Sequence, residues 1–381
     1  MTKKLYYENA YIREFDASVI SVECCGDKYN VVLDATAFFP NEGGQSADGG
    51  FIDGIAVLDV EERGGVIYHV MPEPPKNKSV HGIVDFDIRI EKMRAHTAEH
   101  MLCGIIHRLY GYDNVGFHLG DDMTVTFDVD GELSVEQISK VELLANKAVM
   151  ENREVSTFFP SADDLKLLEY RAKLDITENV RIVEIDGVDV CACCAPHVSR
   201  TGEIGAVKIV DFMRHRGGMR LFMVAGERAF MDYGSRYEIT RSIGAMTSTP
   251  SLDVLGSVKK MAEDKAELEA RVKALSLEAA RMKAELVVPT DNNAVYLIHN
   301  AGMDELREFS NAALSKVSGI LVAISGNDGE YKYVISSCSV DLRAKAKEIN
   351  AALSGKGGGR PEMISGSFAA SYAQIEEYFS K

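Results

Sequence analysis

The residues with the most chemistry in this chain fall in two short segments. In Met93-Arg94-Ala95-His96-Thr97-Ala98-Glu99-His100-Met101-Leu102, two histidines stand four positions apart. The segment lies inside an apolar-periodic run from Ile88 to Leu109, which predicts a helix with both imidazoles on one face, one turn apart. That separation lets two rings grip one metal ion. Val190-Cys191-Ala192-Cys193-Cys194-Ala195-Pro196-His197 repeats the offset with Cys193 and His197. Three imidazoles and a thiolate, His96, His100, Cys193 and His197, make a tetrahedral set for one zinc ion. Cys191 and Cys194 compete with Cys193 as the sulfur donor, and spacing leaves that choice open. The pattern is not the His-Glu-x-x-His motif of the metalloproteases, where glutamate follows the first histidine. Here Glu99 precedes the second, which swings its carboxylate about 200° round the helix. Glu99 reads equally as a solvated helix residue or a catalytic one. No Cys-x-x-Cys follows a His-x-Glu, so the nucleobase-deaminase pattern is excluded as well.

The elements that position these donors belong to a chain of 381 residues with 46% hydrophobic content, too long for one ordinary domain and enough for two or three. The reading is an α+β chain in four parts. Residues 1–88 carry short alternating strands and glycine turns, which predict a small β-barrel. Residues 89–245 hold both donor segments. They also carry a helix from Ser134 to Asn152 with a Ser134–Gln137 capping box, and strands such as Met123–Val129. Residues 246–290 form a long coiled-coil-like helix, with Leu268, Val272, Leu275, Ala279 and Met282 alternating three and four apart. Residues 291–381 alternate strands and helices as a compact α/β module. In it Gly355–Pro361 reads as a loop and Ser367–Phe379 as a closing helix.

Composition sets further bounds. No apolar run approaches the ~18 residues a membrane span requires, and the N-terminus lacks a hydrophobic signal core. Seven cysteines, three of them between 191 and 194, suit thiols in a reducing cytosol better than a disulfide framework. A cytoplasmic location is therefore expected. The net charge of −16 argues against indiscriminate nucleic-acid binding.

His96-x3-His100 with Cys193-x3-His197 resembles the zinc-binding pattern of the alanyl-tRNA synthetase editing domain and the freestanding AlaX editing proteins. Arg94-Ala95 before the first pair and Val198-Ser199-Arg200-Thr201-Gly202 after the second agree with it, as does Leu33-Asp34-Ala35-Thr36 through Asn41-Glu42-Gly43-Gly44-Gln45. Gly357-Gly358-Gly359-Arg360-Pro361 is similar to the DHHA1 module that ends alanyl-tRNA synthetases. The order of the segments is that of the long AlaX type, with no residues left for ATP-dependent aminoacylation. Glu42 departs from the pattern, standing where the family often has glycine.

The resemblance implies hydrolysis of the ester joining a wrong amino acid, serine or glycine, to tRNA(Ala). Thr36 and Gln45 are the expected polar partners of that reaction. A threonine hydroxyl can hydrogen-bond the serine side chain that alanine lacks, and Gln45 can orient water or the ester carbonyl. Arg214, Arg216 and Arg220 are the expected contacts to the acceptor stem, with Gly357, Gly358, Gly359 and Arg360 at the tRNA elbow. A homodimer through residues 250–288 and the C-terminal module is also expected. The alternative is a non-catalytic tRNA-binding or regulatory protein that keeps the fold.

Overall fold

The computed structural model describes residues 1–120, 125–172 and 179–380. Strands and helices are mixed throughout, and the chain divides into two compact units, Met1–Ile239 and Thr240–Lys381. Met123 and Thr124, read from the sequence as the start of a strand, lie outside the described residues; the strand itself runs Val125–Val129.

The first unit opens with a seven-stranded sheet. Its order is Ile55–Val57, Gly50–Ile52, Ser79–Val84, Glu14–Cys25, Lys28–Leu33, Val66–Met71 and Asp59–Arg63. The two outermost strands are separated in the chain by Leu58 alone, so the sheet curls into a nearly closed, barrel-like form. Alternation along Ser79–Val84 sends Val80 and Val84 inward beside Phe38, Phe39 and Ile67.

The helix Phe86–Tyr110 follows directly. Asp85 caps it by accepting from Ile88 N–H at 3.4 Å, and Gly111 ends it in the left-handed conformation with φ of 72°. Met101, Leu102, Ile105 and Ile106 are fully buried, each contributing about 1.5–3 kcal/mol relative to exposure. They pack against the helix Val135–Met150, whose Ser134–Gln137 capping box forms as the sequence implies. They also pack against a four-stranded antiparallel sheet in the order Asn114–Leu119, Val125–Val129, Gly218–Ala225, Val207–His215. A three-stranded sheet, Val155–Phe158, Ile182–Ile185 and Asp189–Ala192, carries the cysteine segment.

One loop, between Ala35–Thr36 and Gly50–Ile52, packs against the helix through Arg89 and Lys92. Gly43 and Gly44, with φ of 64° and 83°, close a tight turn in which Glu42 and Gln45 exchange backbone hydrogen bonds. The loop then docks beside Leu119, whose N–H donates to Gly44 O at 2.8 Å and whose O accepts from Ser46 N–H at 3.0 Å. A Cβ on Gly44 would lie 2.5 Å from Phe117 O. Gly44→Ala is therefore expected to expel the loop from its dock, read as a lower melting temperature together with weaker metal binding by the residues described below.

In the second unit, a 32-residue helix Val254–Glu285, about 48 Å long, precedes a five-stranded sheet. That sheet corrects the sequence reading. Gly355–Arg360 is not a loop but an edge strand paired antiparallel with Met363–Phe368, and the last helix starts only at Tyr372. Glycine is a poor strand former, yet close packing selects it here. A Cβ on Gly366 would meet Lys356 O at 2.0 Å, and one on Gly357 would meet the Tyr333 hydroxyl at 2.4 Å. A helix Glu227–Thr247, which the sequence reading did not include, spans the junction of the two units.

Candidate metal centre

Helical spacing places His96 and His100 on the buried face of Phe86–Tyr110, and the turn after Asp189–Ala192 carries Cys193 and His197 to them. The four donor atoms lie within 4.8 Å of one another. Cys193 Sγ is 3.6 Å from His96 Nε2 and 3.4 Å from His197 Nε2. With zinc–nitrogen and zinc–sulfur bonds of about 2.0–2.1 and 2.3 Å, the N···S edge of a tetrahedron is about 3.6 Å. The donor set therefore fits a zinc-type ion.

The rings are oriented for the task. Thr97 Oγ1 donates to Met93 O at 2.7 Å, so toward His197 Nδ1 at 3.0 Å it acts as acceptor. His96 Nδ1 donates to Gln45 Oε1 at 2.8 Å, and His100 Nδ1 to Asp189 Oδ2 at 3.3 Å. With each Nδ1–H directed to its own acceptor, every Nε2 is turned toward the shared centre. Asp189 is itself fixed by Arg171, whose Nε and Nη2 both donate at 2.7 Å. Gly104 on the helix makes room for it, since a Cβ there would fall 2.6 Å from Asp189 Cβ.

The local field favours a cation. Burial opposes charge on the Cys193 thiol, but the neighbouring His96 and His100 rings outweigh it and hold the thiol well below its usual range. His100 behaves conversely: burial works against its protonation, yet Cys191, Asp189 and Cys193 carry it well above normal. Burial lowers His197 to about 3. Cys194, by contrast, is pushed up by burial and by the neighbouring Cys193, and its Sγ faces the Gly43 turn. Cys191 belongs to a second, overlapping group with His100 and Asp189. In that group both Asp189 oxygens are already taken by Arg171, so the histidine-rich set is the better-formed one.

Of the two polar partners expected from the sequence, Gln45 is brought to the cluster. It is fully buried, one end on His96, and its Nε2 has no hydrogen-bond partner among the described residues. Thr36 makes no contact with the cluster among the described hydrogen bonds. Burial lowers His69 to about 4, keeping it neutral, and its Nδ1 donates to Val31 O. Thr36 Oγ1 then donates to His69 Nε2 at 2.8 Å and accepts from Phe38 N–H. One lone pair of the hydroxyl stays available.

Arg214 and Arg220 lie on neighbouring strands of a hairpin and are ion-paired, with Glu132 and with both oxygens of Asp128. Arg216 stands exposed at the turn between them. In the second unit Gly357, Gly358, Gly359 and Arg360 are exposed on the edge strand, where alternation gives Lys356, Gly358 and Arg360 one face. A Cβ on Gly358 would meet nothing within 4 Å.

Sequence reasoning missed Thr97, Asp189 and Arg171. Thr97 was within reach as a polar residue between the two histidines. Nothing local marks Arg171, which comes to Asp189 only through sheet pairing. Asp189→Asn is expected to weaken metal binding by about 10–100-fold without unfolding the chain, as read by chelator competition.

Comparisons with known proteins find relatives along the chain. The family described as "Threonyl and Alanyl tRNA synthetase second additional domain" matches residues 180–222, which include Cys193 and His197. Alanyl-tRNA editing protein AlaX-L of Pyrococcus horikoshii is 28% identical over 98% of this chain and 96% of its own length. Alanine–tRNA ligases of Hyperthermus butylicus and Pyrococcus furiosus are 32% and 31% identical over 95% and 96% of this chain, which spans 42% of the length of each. The C-Ala domain from Aquifex aeolicus alanyl-tRNA synthetase covers 25% of the chain at 18% identity, with a TM-score of 0.21, too low to equate the folds. The chain thus resembles the long AlaX type along nearly its whole length.

Proposed function

We propose that this chain, similar from end to end to a freestanding alanyl-tRNA editing protein, hydrolyses the ester of mischarged tRNA(Ala), Ser-tRNA(Ala) first and Gly-tRNA(Ala) second. The observation that carries the reading is the cluster itself: three imidazoles whose Nε2 atoms converge on one thiol, each ring held by a separate partner. His96, His100, Cys193 and His197 would hold zinc, and bound zinc supplies positive charge beside the developing negative charge of the ester carbonyl.

The chain's own groups do the rest. Gln45, anchored through Oε1, presents an unpaired Nε2–H donor to an ester carbonyl or a water. Thr36 is proposed to accept the serine hydroxyl with its remaining lone pair, which alanine cannot use. An aminoacyl ester is already activated, so positioning accounts for much of the acceleration.

The finer architecture is part of the same proposal: a barrel at 1–88, an editing domain at 89–245, a coiled helix at 246–290 and a DHHA1-like module from 291. Arg216 is the acceptor-stem contact best placed by exposure, because Arg214 and Arg220 would first have to leave their carboxylates. The edge strand around Gly358 is proposed for the tRNA elbow. Leu268, Val272, Leu275 and Met282 remain exposed along the long helix and are proposed as a homodimer seam, which light scattering at micromolar concentration checks.

Release of serine from Ser-tRNA(Ala), beside Ala-tRNA(Ala) and a chelator arm, tests the function. Fast serine release, spared alanine and loss of release with chelator are expected. No release from metal-loaded protein that still retains tRNA would favour the binding-protein alternative.

A further inference from the structure

The cluster has one neighbour that the proposed reaction has not used. Glu99 lies between the two helical histidines and is 2% exposed. Its Oε1 accepts from Asn114 Nδ2 and from Cys103 Sγ. Its other oxygen, Oε2, carries no hydrogen bond among the described residues and lies 4.0 Å from His100 Nε2, the atom that faces the cluster. That gap is too long for a direct hydrogen bond.

Charge makes the placement unusual. The other buried carboxylate beside the histidines, Asp189, is matched by Arg171, and Asp48 is matched by Arg89. No lysine or arginine among the described residues pairs with Glu99. Among the described residues its one ion-pair partner is the His100 ring, at 4.0 Å, so the carboxylate lacks the close cation that Asp189 and Asp48 have. It is held by neutral donors on one oxygen only, which leaves the other aimed beside a ligand nitrogen. The spacing His96-x-x-Glu99-His100 is also the inverted arrangement found in some zinc hydrolases.

We propose that Glu99 is a further catalytic residue, the carboxylate that receives the attacking water. This rests on the ester-hydrolase reading above. Glu99 Oε2 takes a proton from water as the water oxygen bonds to the ester carbonyl carbon. The tetrahedral intermediate then collapses, its bond to the ribose oxygen breaks, and Glu99 returns the proton to that oxygen. The products are the free amino acid and tRNA with its terminal hydroxyl restored. No other reactant is required.

Glu99→Gln isolates the role, because the amide keeps an Oε1 acceptor for Asn114 and Cys103. With Ser-tRNA(Ala) as probe, kcat is expected to fall by about 10²–10⁴-fold with KM unchanged. Metal analysis should still find one zinc per chain, and uncleaved Ser-tRNA(Ala) should co-elute with the variant in gel filtration. A variant that turns over within about threefold of the parent overturns the proposal while leaving the hydrolase reading intact. So does a variant whose rate falls only in step with lost zinc or a lowered melting temperature, since Glu99 would then be structural. A parent chain that releases no amino acid overturns the hydrolase reading, and the assignment to Glu99 with it.

Discussion

Cys193→Ala is expected to release the metal and end serine release together. The thiol is the single anionic donor of the histidine-rich set, and the fields of His96 and His100 already hold it well below its usual range. Its loss leaves three imidazole donors and removes the anionic one that most favours a divalent ion. The cost in affinity should exceed the about 10–100-fold typical of losing an outer-sphere partner. Chelator competition and metal analysis read it directly. Cys191→Ala and Cys194→Ala are the controls, and both should retain the ion. Cys191 sits beside an aspartate already held by arginine, and Cys194 faces the Gly43 turn. Full metal occupancy in Cys193→Ala, with loss in Cys191→Ala, would instead place the ion with His100, Asp189 and Cys191.

The largest loss of stability is expected at Asp48. Its carboxylate and the Arg89 guanidinium are both essentially inaccessible. Arg89 Nε reaches both carboxylate oxygens at 2.9 Å, while Nη1 and Nη2 donate to Ala10 O and Ala37 O. Asp48 Oδ2 also accepts from Phe39 N–H. This pair ties the first turn of the histidine helix to the loop that carries Gln45, three residues before Asp48. Lys92, one turn on, donates to Ser46 O and Ala47 O of the same loop. Asp48→Ala leaves a buried guanidinium uncompensated, a change that costs about 3–5 kcal/mol. At about 2–4 °C per kcal/mol for a unit of this size, the first transition should fall by roughly 6–20 °C. Metal affinity should drop too, because Gln45 loses its anchor. Asp48→Leu combined with Arg89→Met should recover much of the stability, since it removes both charges. A melting curve unchanged by Asp48→Ala would mean that water reaches Arg89 after all.

Much of this molecule was legible in the sequence. The four-residue offsets of His96–His100 and Cys193–His197 survive folding because they are set by backbone geometry: a helical turn in one case, a short excursion from a strand in the other. The capping box at Ser134, the left-handed stop at Gly111 and the tight Gly43–Gly44 turn follow from local chemistry in the same way. Each is decided within a few residues.

Contacts between distant segments account for the rest. Glycine-rich Gly355–Arg360 became a strand by pairing with Met363–Phe368, with Gly355, Gly357 and Gly359 at positions where neighbours leave no room for a Cβ, a fact that propensity cannot contain. Arg214 and Arg220, a basic cluster on paper, were claimed by Glu132 and Asp128 across 82 and 92 residues. Thr36 turned its hydroxyl to His69, and Gln45 alone of the two reached the histidines, because loop docking at Leu119 set its position. Burial gave Glu99 its meaning. Which donors the chain owns, and how far apart they stand along each element, is written in residue order and local geometry. Only the packing of sheets and helix decided which lone pairs point inward, because that depends on partners at Nδ1 contributed by three separate segments of the chain.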